Sequence, residues 1–254
     1  MNVQQSWLTK TSVELSRGQQ FLSVLNLFAT LFPVFLLLFT WRGFIQALAA
    51  RLMGDKTAQE AGFLTLNPFA HVDVLGLTIV IGIFFAIGGL FYAVLPPIVL
   101  LIFLILLGVR WTIPVPVDDT QFKHYRLGGI VTSISGPLGN FLLAFISIAL
   151  LKIILSFALP AYAVISLIQV FDTLIYTALF FGIMDLIPIP PFDGGRLLHY
   201  LLPYRLQHIV GWLEEYSLYI LLILFAAPVV SDIFFGVIAT CALIIKTAML
   251  RIFF

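Results

Sequence analysis

Polar and apolar positions along this chain fall into long blocks rather than a short alternation. A helix that spans a bilayer takes about 20 mostly apolar residues. The first block of that length covers about 21–41, and helical spacing continues through Phe44, Ala47 and Ala50 to Met53. A polar connection, 54–73, follows. Residues 74–109 are long enough for one tilted helix plus a re-entrant piece, or for two short spans, with breaks at Gly88-Gly89 and Pro96-Pro97. Residues 110–126 (RWTIPVPVDDTQFKHYR) are the most polar connection, and two prolines in a short alternating segment predict a hairpin or extended segment near 113–117. Further spans are expected over about 127–157 and 161–187, the latter closed by Pro188, Pro190 and Pro191. Residues 193–216 predict a loop and an interfacial helix whose Trp and Tyr sit at headgroup level. Two last runs, about 217–227 and 229–249, are split by Pro228 and Asp232. The pattern predicts an all-α polytopic transmembrane bundle of about six spans. It forms a single membrane domain over 1–254, with a core at about 21–198 and C-terminal helices at about 199–254.

Composition turns that pattern into a statement about solvent. Of 254 residues, 61% are hydrophobic and 10% charged, and mean hydropathy is +1.12. A soluble domain is roughly 25% charged, so lipid must be a large part of the surroundings, and every span should be helical because unpaired backbone in lipid is costly. Thirteen basic and 12 acidic residues leave a net charge of +1, which excludes a nucleic-acid footprint and a polybasic lipid-binding tail. Cys241 is the only cysteine, so no disulfide framework and no cysteine-based metal site exist. Residues 1–20 lack an apolar stretch after a basic start, so no cleavable signal peptide is expected. The basic residues flank the spans too evenly to fix orientation. Phenylalanine, 25 of 254 residues, is read mainly as lipid-facing bulk.

Three polar, Gly/Pro-rich clusters stand between apolar runs: GFLTLNPFAHVD (62–73), SISGPLGN (133–140) and DLIPIPPFDGGR (185–196). The second puts Gly136, Gly139 and Asn140 inside a span, where small residues let helices approach and Asn140 must find partners in the bundle. The third puts Asp193 at or below the membrane surface. An intramembrane carboxylate is a functional candidate, although Asp193 also stands where it would cap a helix starting at Gly194.

In this order the clusters, with Ile113-Pro114-Val115-Pro116-Val117 between the first two, resemble the signature blocks of the site-2 family of intramembrane zinc metalloproteases (peptidase M50 type). That family carries "GRLTLNPxxHxDPxG", "KPVPV", "GPLAN" and "NLLPIPPLDGGR", and the likeness covers about 44–198. The resemblance implies a zinc site made by an H-E-x-x-H helix motif and the aspartate of the D-G-G block, here Asp193. Two His at i and i+4 share a helix face, and the Glu acts as general base on metal-bound water. Counting back by the family's spacing from Gly54-Asp55-Lys56-Thr57-Ala58 places the motif on Arg42-Gly43-Phe44-Ile45-Gln46, so both histidines and the base are replaced. His71, His124, His199 and His208 include no pair at i, i+4, and no other H-E-x-x-H occurs.

The resemblance implies a catalytically inactive relative of these proteases, with no catalytic residue, no metal and no cofactor, in a bacterial inner membrane. Its partners would be lipid and another membrane protein or transmembrane helix, which it would serve as adaptor, regulator or complex subunit. Asn67, Asn140 and Asp185 (where the family has Asn) are the motif's remaining polar residues. Pro114, Val115, Pro116 and Val117 offer an extended edge for β-augmentation. The alternative is an active zinc protease with an altered metal site cleaving a transmembrane substrate, with ligands recruited from His71, His124 or His199. A channel or transporter is disfavoured because no repeated halves with broken helices are visible. Because both old ligand positions face one ion, Arg42 and Asp193 are expected to form an ion pair with Gln46 beside them; the other expectation is that Arg42 snorkels to the interface next to Trp41. His71 and Asp73 are read as turn residues and Asp118-Asp119 as loop caps. Asp172 and Asp232 are read as buried polar contacts without a role.

Overall fold

The computed structural model describes residues 29–73 and 113–253. Expectations for 1–28 and 74–112, including the one-or-two-span question at 74–109, lie outside the described residues. Those described are helical apart from turns and extended connections. The long helices are α1 (Ala29–Met53), α3 (Tyr125–Leu155), α4 (Ala161–Asp185), α6 (Gln207–Ala226) and α7 (Pro228–Phe253). Two short ones are α2 (Thr57–Glu60) and α5 (Asp193–Leu201). Five helices among the described residues are long and apolar enough to cross a membrane.

A bundle core forms where α1, α3, α4 and α7 meet: Val34 and Leu38 pack with Leu143, Ala144, Ile148, Leu174, Ile175, Ala178, Leu179 and Ala242. Small residues bring the backbones close, as the absence of a hydrophobic force between helices in lipid requires. A Cβ at Gly139 would lie 3.2 Å from Ile45 of α1, and one at Gly182 would lie 3.3 Å from the Asn140 Cβ. The Trp41 indole adds a polar stitch, donating to the Gly139 carbonyl at 2.8 Å.

The polar connections are tied to the end of α1. Gly54 adopts φ +114°, a left-handed conformation open to glycine, and turns the chain so that Asp55 is fully buried. One Asp55 oxygen accepts from the Thr57 amide at 2.8 Å, starting α2, and the other accepts from the Asp118 amide at 2.9 Å. The Lys123 amide donates to the Met53 carbonyl at 3.0 Å. Residues 113–118 form neither helix nor strand; the Ile113 amide donates to the His71 carbonyl at 2.9 Å, and Asp118 is extended (φ −108°, ψ 103°). Val115 packs on a second cluster of Ala47, Ala58 and Phe63.

Two expectations need correction. The single interfacial helix expected within 193–216 is divided: α5 stops at Leu201, and Leu202 is extended (ψ 138°) before Pro203, as the residue preceding proline prefers. From Gln207 the helix then runs unbroken into the 217–226 apolar run, because the Glu214-Glu215 pair, exposed on the surface, is too short an interruption to end it. Asp172 and Asp232 are both exposed rather than buried.

Candidate functional site: an arginine between two carboxylates

Four elements converge near the middle of α1. Arg42 and Gln46, one turn apart, project from the same side of α1. The PIPP segment, with a cis Pro190-Pro191 bond, joins the end of α4 to the start of α5 and so carries Asp185 and Asp193 toward one another. Both carboxylates receive the Arg42 guanidinium: Nε donates to Asp185 Oδ2 at 2.9 Å and Nη2 to Asp193 Oδ2 at 2.6 Å. Gln46 Nε2 donates to Asp193 Oδ1, and Asn140 Nδ2 to Asp185 Oδ2, both at 3.4 Å. Asp185, Asp193, Gln46 and Asn140 are all buried; the Arg42 side chain keeps 24% exposure.

Glycine sets how closely the cluster can assemble. A Cβ at Gly136 of α3 would lie 2.6 Å from Asp193 Oδ2 and 3.4 Å from Arg42 Nε, so a bare helix surface admits the ion pair. At Gly43 a Cβ would fall 2.4 Å from His71 Nδ1. The His71 ring therefore occupies the room that any side chain at 43 would need.

The ion pair expected between Arg42 and Asp193 is present, with Gln46 beside it; Arg42 does not snorkel. Asp193 begins α5 but gives its N-terminus no side-chain cap; Phe192 stands at the cap position, and the carboxylate is turned toward α1. Asn67 is outside this cluster and caps a turn over Pro68–Ala70, accepting from the Phe69 amide at 3.1 Å. His71, buried, has Nε2 2.9 Å from the Thr65 carbonyl, a loop-structuring contact. Asp118 caps a 3-10 turn through the Thr120 amide at 3.0 Å. Pro114–Val117 lies along the α1 end of the site through Val115 and Ala47. Asp185 stands out in the sequence only as a departure from Asn, yet the structure makes it a full member of the cluster.

The donor set does not fit zinc. A zinc centre takes three protein ligands with lone pairs directed at one point. Here a permanently charged guanidinium, which has no acceptor, lies within hydrogen-bond reach of both carboxylates and so stands where a cation would have to bind. Asn140 Oδ1 and His71 Nδ1 are buried without partners among the described residues. Even so, no three His, Cys, Asp or Glu side chains there are placed to share a metal.

Two comparisons place the chain among known proteins. A profile of Peptidase family M50 matches residues 26–228. The Bacillus subtilis (strain 168) protein named "Putative zinc metalloprotease YwhC" is 32% identical over 195 residues, 76% of this chain and 78% of that protein. No solved structure matches the chain. With the ordered motif blocks, the membrane-spanning helices and a match over most of its length, this integral membrane protein belongs to Peptidase family M50, the site-2 protease family.

Proposed function

We propose that this chain is a catalytically silent member of family M50 that binds a membrane protein, as adaptor, regulator or subunit, in a bacterial inner membrane. The observation that carries the reading is the guanidinium of Arg42 held between Asp185 and Asp193. A buried carboxylate without a compensating cation is expensive. In a metalloprotease the ion supplies that compensation; here an arginine does so, with bonds that also fix the α1, α4 and α5 ends relative to one another. The Glu that would act as general base is replaced by Gly43, and His71 fills the space beside it. Scaffold is retained while the means of activating water are not.

A partner-binding surface is the extended segment Pro114–Val117, anchored by Val115 at the α1 end of the site. An extended backbone of this kind can pair with an incoming strand. The functional residues on this reading are Arg42, Asp185, Asp193 and Gln46 as a structural lock, and Pro114–Val117 as the contact.

Reconstituted protein tests both halves. Incubated with the transmembrane substrates of an active family member and with zinc supplied, it should release no cleavage product. A photocrosslinker at Val115 or Val117 should capture a discrete membrane protein in native membranes, and one at lipid-exposed Leu150 should not. Cleavage that disappears with Asp193→Ala would instead establish an active protease with an altered metal site.

A further inference from the structure

The fold gathers cations that lie scattered along the sequence. The Lys123 amide donates to the Met53 carbonyl at 3.0 Å, which brings Lys123 to the turn that follows Arg51. At the start of α3, Arg126 Nη2 donates to the Leu202 carbonyl at 3.1 Å, beside the turn that carries Arg205. The Tyr125 hydroxyl, 3.3 Å from His199 Nε2, ties the same two segments together. Arg51, Lys123, Arg126 and Arg205 are all exposed. They come from separate stretches of the chain, so no basic run in the sequence announces them.

The protein's own carboxylates do not answer these charges. Asp55 is buried against two backbone amides, Asp118 accepts from Thr120 and Gln121, and Asp119 accepts from Tyr200. Asp73 is likewise engaged. Glu60 stands four residues after Lys56 and offsets that cation, while Glu214 and Glu215 lie two turns along α6. Residues 74–112 contain no Asp or Glu, and residues 1–28 contain Glu14 alone, against Lys10 and Arg17. Neither segment therefore carries the charge to neutralise the patch, and a second copy of the chain would meet it with the same sign.

We propose that this patch binds the headgroup of an anionic phospholipid. Tyr125, 50% exposed at the start of α3, and Tyr204, 92% exposed just before α6, flank the cations. Tyrosines at the ends of spans mark the level of the headgroups, where lipid phosphates supply the missing anions. A guanidinium pairs with phosphate oxygens through parallel hydrogen bonds, and each Lys or Arg beside an anionic leaflet strengthens the attraction by about 5-fold. The contact goes beyond the partner proposed above and does not rest on it.

The full chain in mixed micelles of phosphatidylglycerol and phosphatidylethanolamine tests the patch, with retained lipid counted by native mass spectrometry. Phosphatidylglycerol should be enriched. The double variant Lys123→Gln, Arg205→Gln should raise the concentration for half occupancy by about 5-fold per charge removed. Arg51→Gln, made alone, should raise it by one such step. Arg251→Gln, which removes an exposed cation near the end of α7, should leave it unchanged. Equal retention of the two lipids overturns the proposal, as does enrichment that the patch variants leave intact or that Arg251→Gln lowers as much. Displacement of the lipid by inorganic phosphate would give the patch to a soluble anion instead. Stronger retention in Glu14→Gln would give it to the chain's own N-terminal segment, and either result overturns the assignment to lipid.

Discussion

At the scale of single residues, the Arg42 cluster makes unequal demands on its members. Arg42→Leu leaves two buried carboxylates facing one another. The expected cost is about 3 kcal/mol, at the lower end for breaking a buried pair because 24% of the side chain is exposed. Asp185→Asn, which restores the residue the motif block would carry, keeps the Arg42–Asp193 bond and one charge of each sign. Its cost should be clearly smaller, and in the Arg42→Leu background it should recover part of the loss. Denaturant unfolding in detergent micelles checks the order; equal losses for the two single variants would contradict it. Gly136→Ala should cost about 1–3 kcal/mol, the usual penalty for overpacking, since its Cβ would meet Asp193 Oδ2 at 2.6 Å. An unperturbed Gly136→Ala variant would mean that α3 does not press on the ion pair. Much of this cluster is legible without coordinates: Arg42, Gln46 and Asp193 follow from motif spacing. The second carboxylate, and the coupling of Gly43 to His71, are not. Each is a contact between residues far apart in sequence, and one chain gives no covariation to reveal them.

At the scale of elements, the extended segment is held as a strap. Asp55 fixes its Asp118 end, and the Tyr200 hydroxyl of α5 donates to Asp119. Gly129 of α3 makes room for the Tyr200 ring, which a Cβ there would meet at 2.3 Å. Tyr200→Phe should therefore loosen 113–121, with faster amide exchange there and a loss of about 1.5–3 kcal/mol for a bond to a charged group. Unchanged exchange in 113–121 would show that the strap does not depend on α5. Burial, and then the Asp119 carboxylate, push the Tyr200 phenol well above its usual range. The folded state thus holds this proton more tightly than the unfolded chain. The contribution is complete below the ordinary phenol range of about pH 10 and fades only as pH rises through the shifted value. Strap exchange should consequently be flat in its tyrosine-dependent part across roughly pH 6–9; a transition inside that window would contradict the assignment. Span boundaries for α3 and α4 are legible within a few residues from apolar blocks and flanking prolines. The 193–216 segment is not, because its aromatic and acidic residues resemble an interfacial helix, while Pro203 and the apolar continuation after Glu215 decide otherwise.

At the scale of the whole molecule, family and membrane embedding follow from properties summed over many residues, which is why both are readable from sequence. The proposed loss of water-activating chemistry rests on three positions of one helix, 42, 43 and 46, and on what faces them. The four converging elements enclose a cation that belongs to the protein itself, the Arg42 guanidinium. Zinc content of the full chain, purified from zinc-supplemented cells without chelator and measured by inductively coupled plasma mass spectrometry, tests this most directly. The lock of Arg42, Asp185 and Asp193 predicts far less than one zinc per chain, and no change on Asp193→Ala. One zinc per chain that is lost on Asp193→Ala would contradict it.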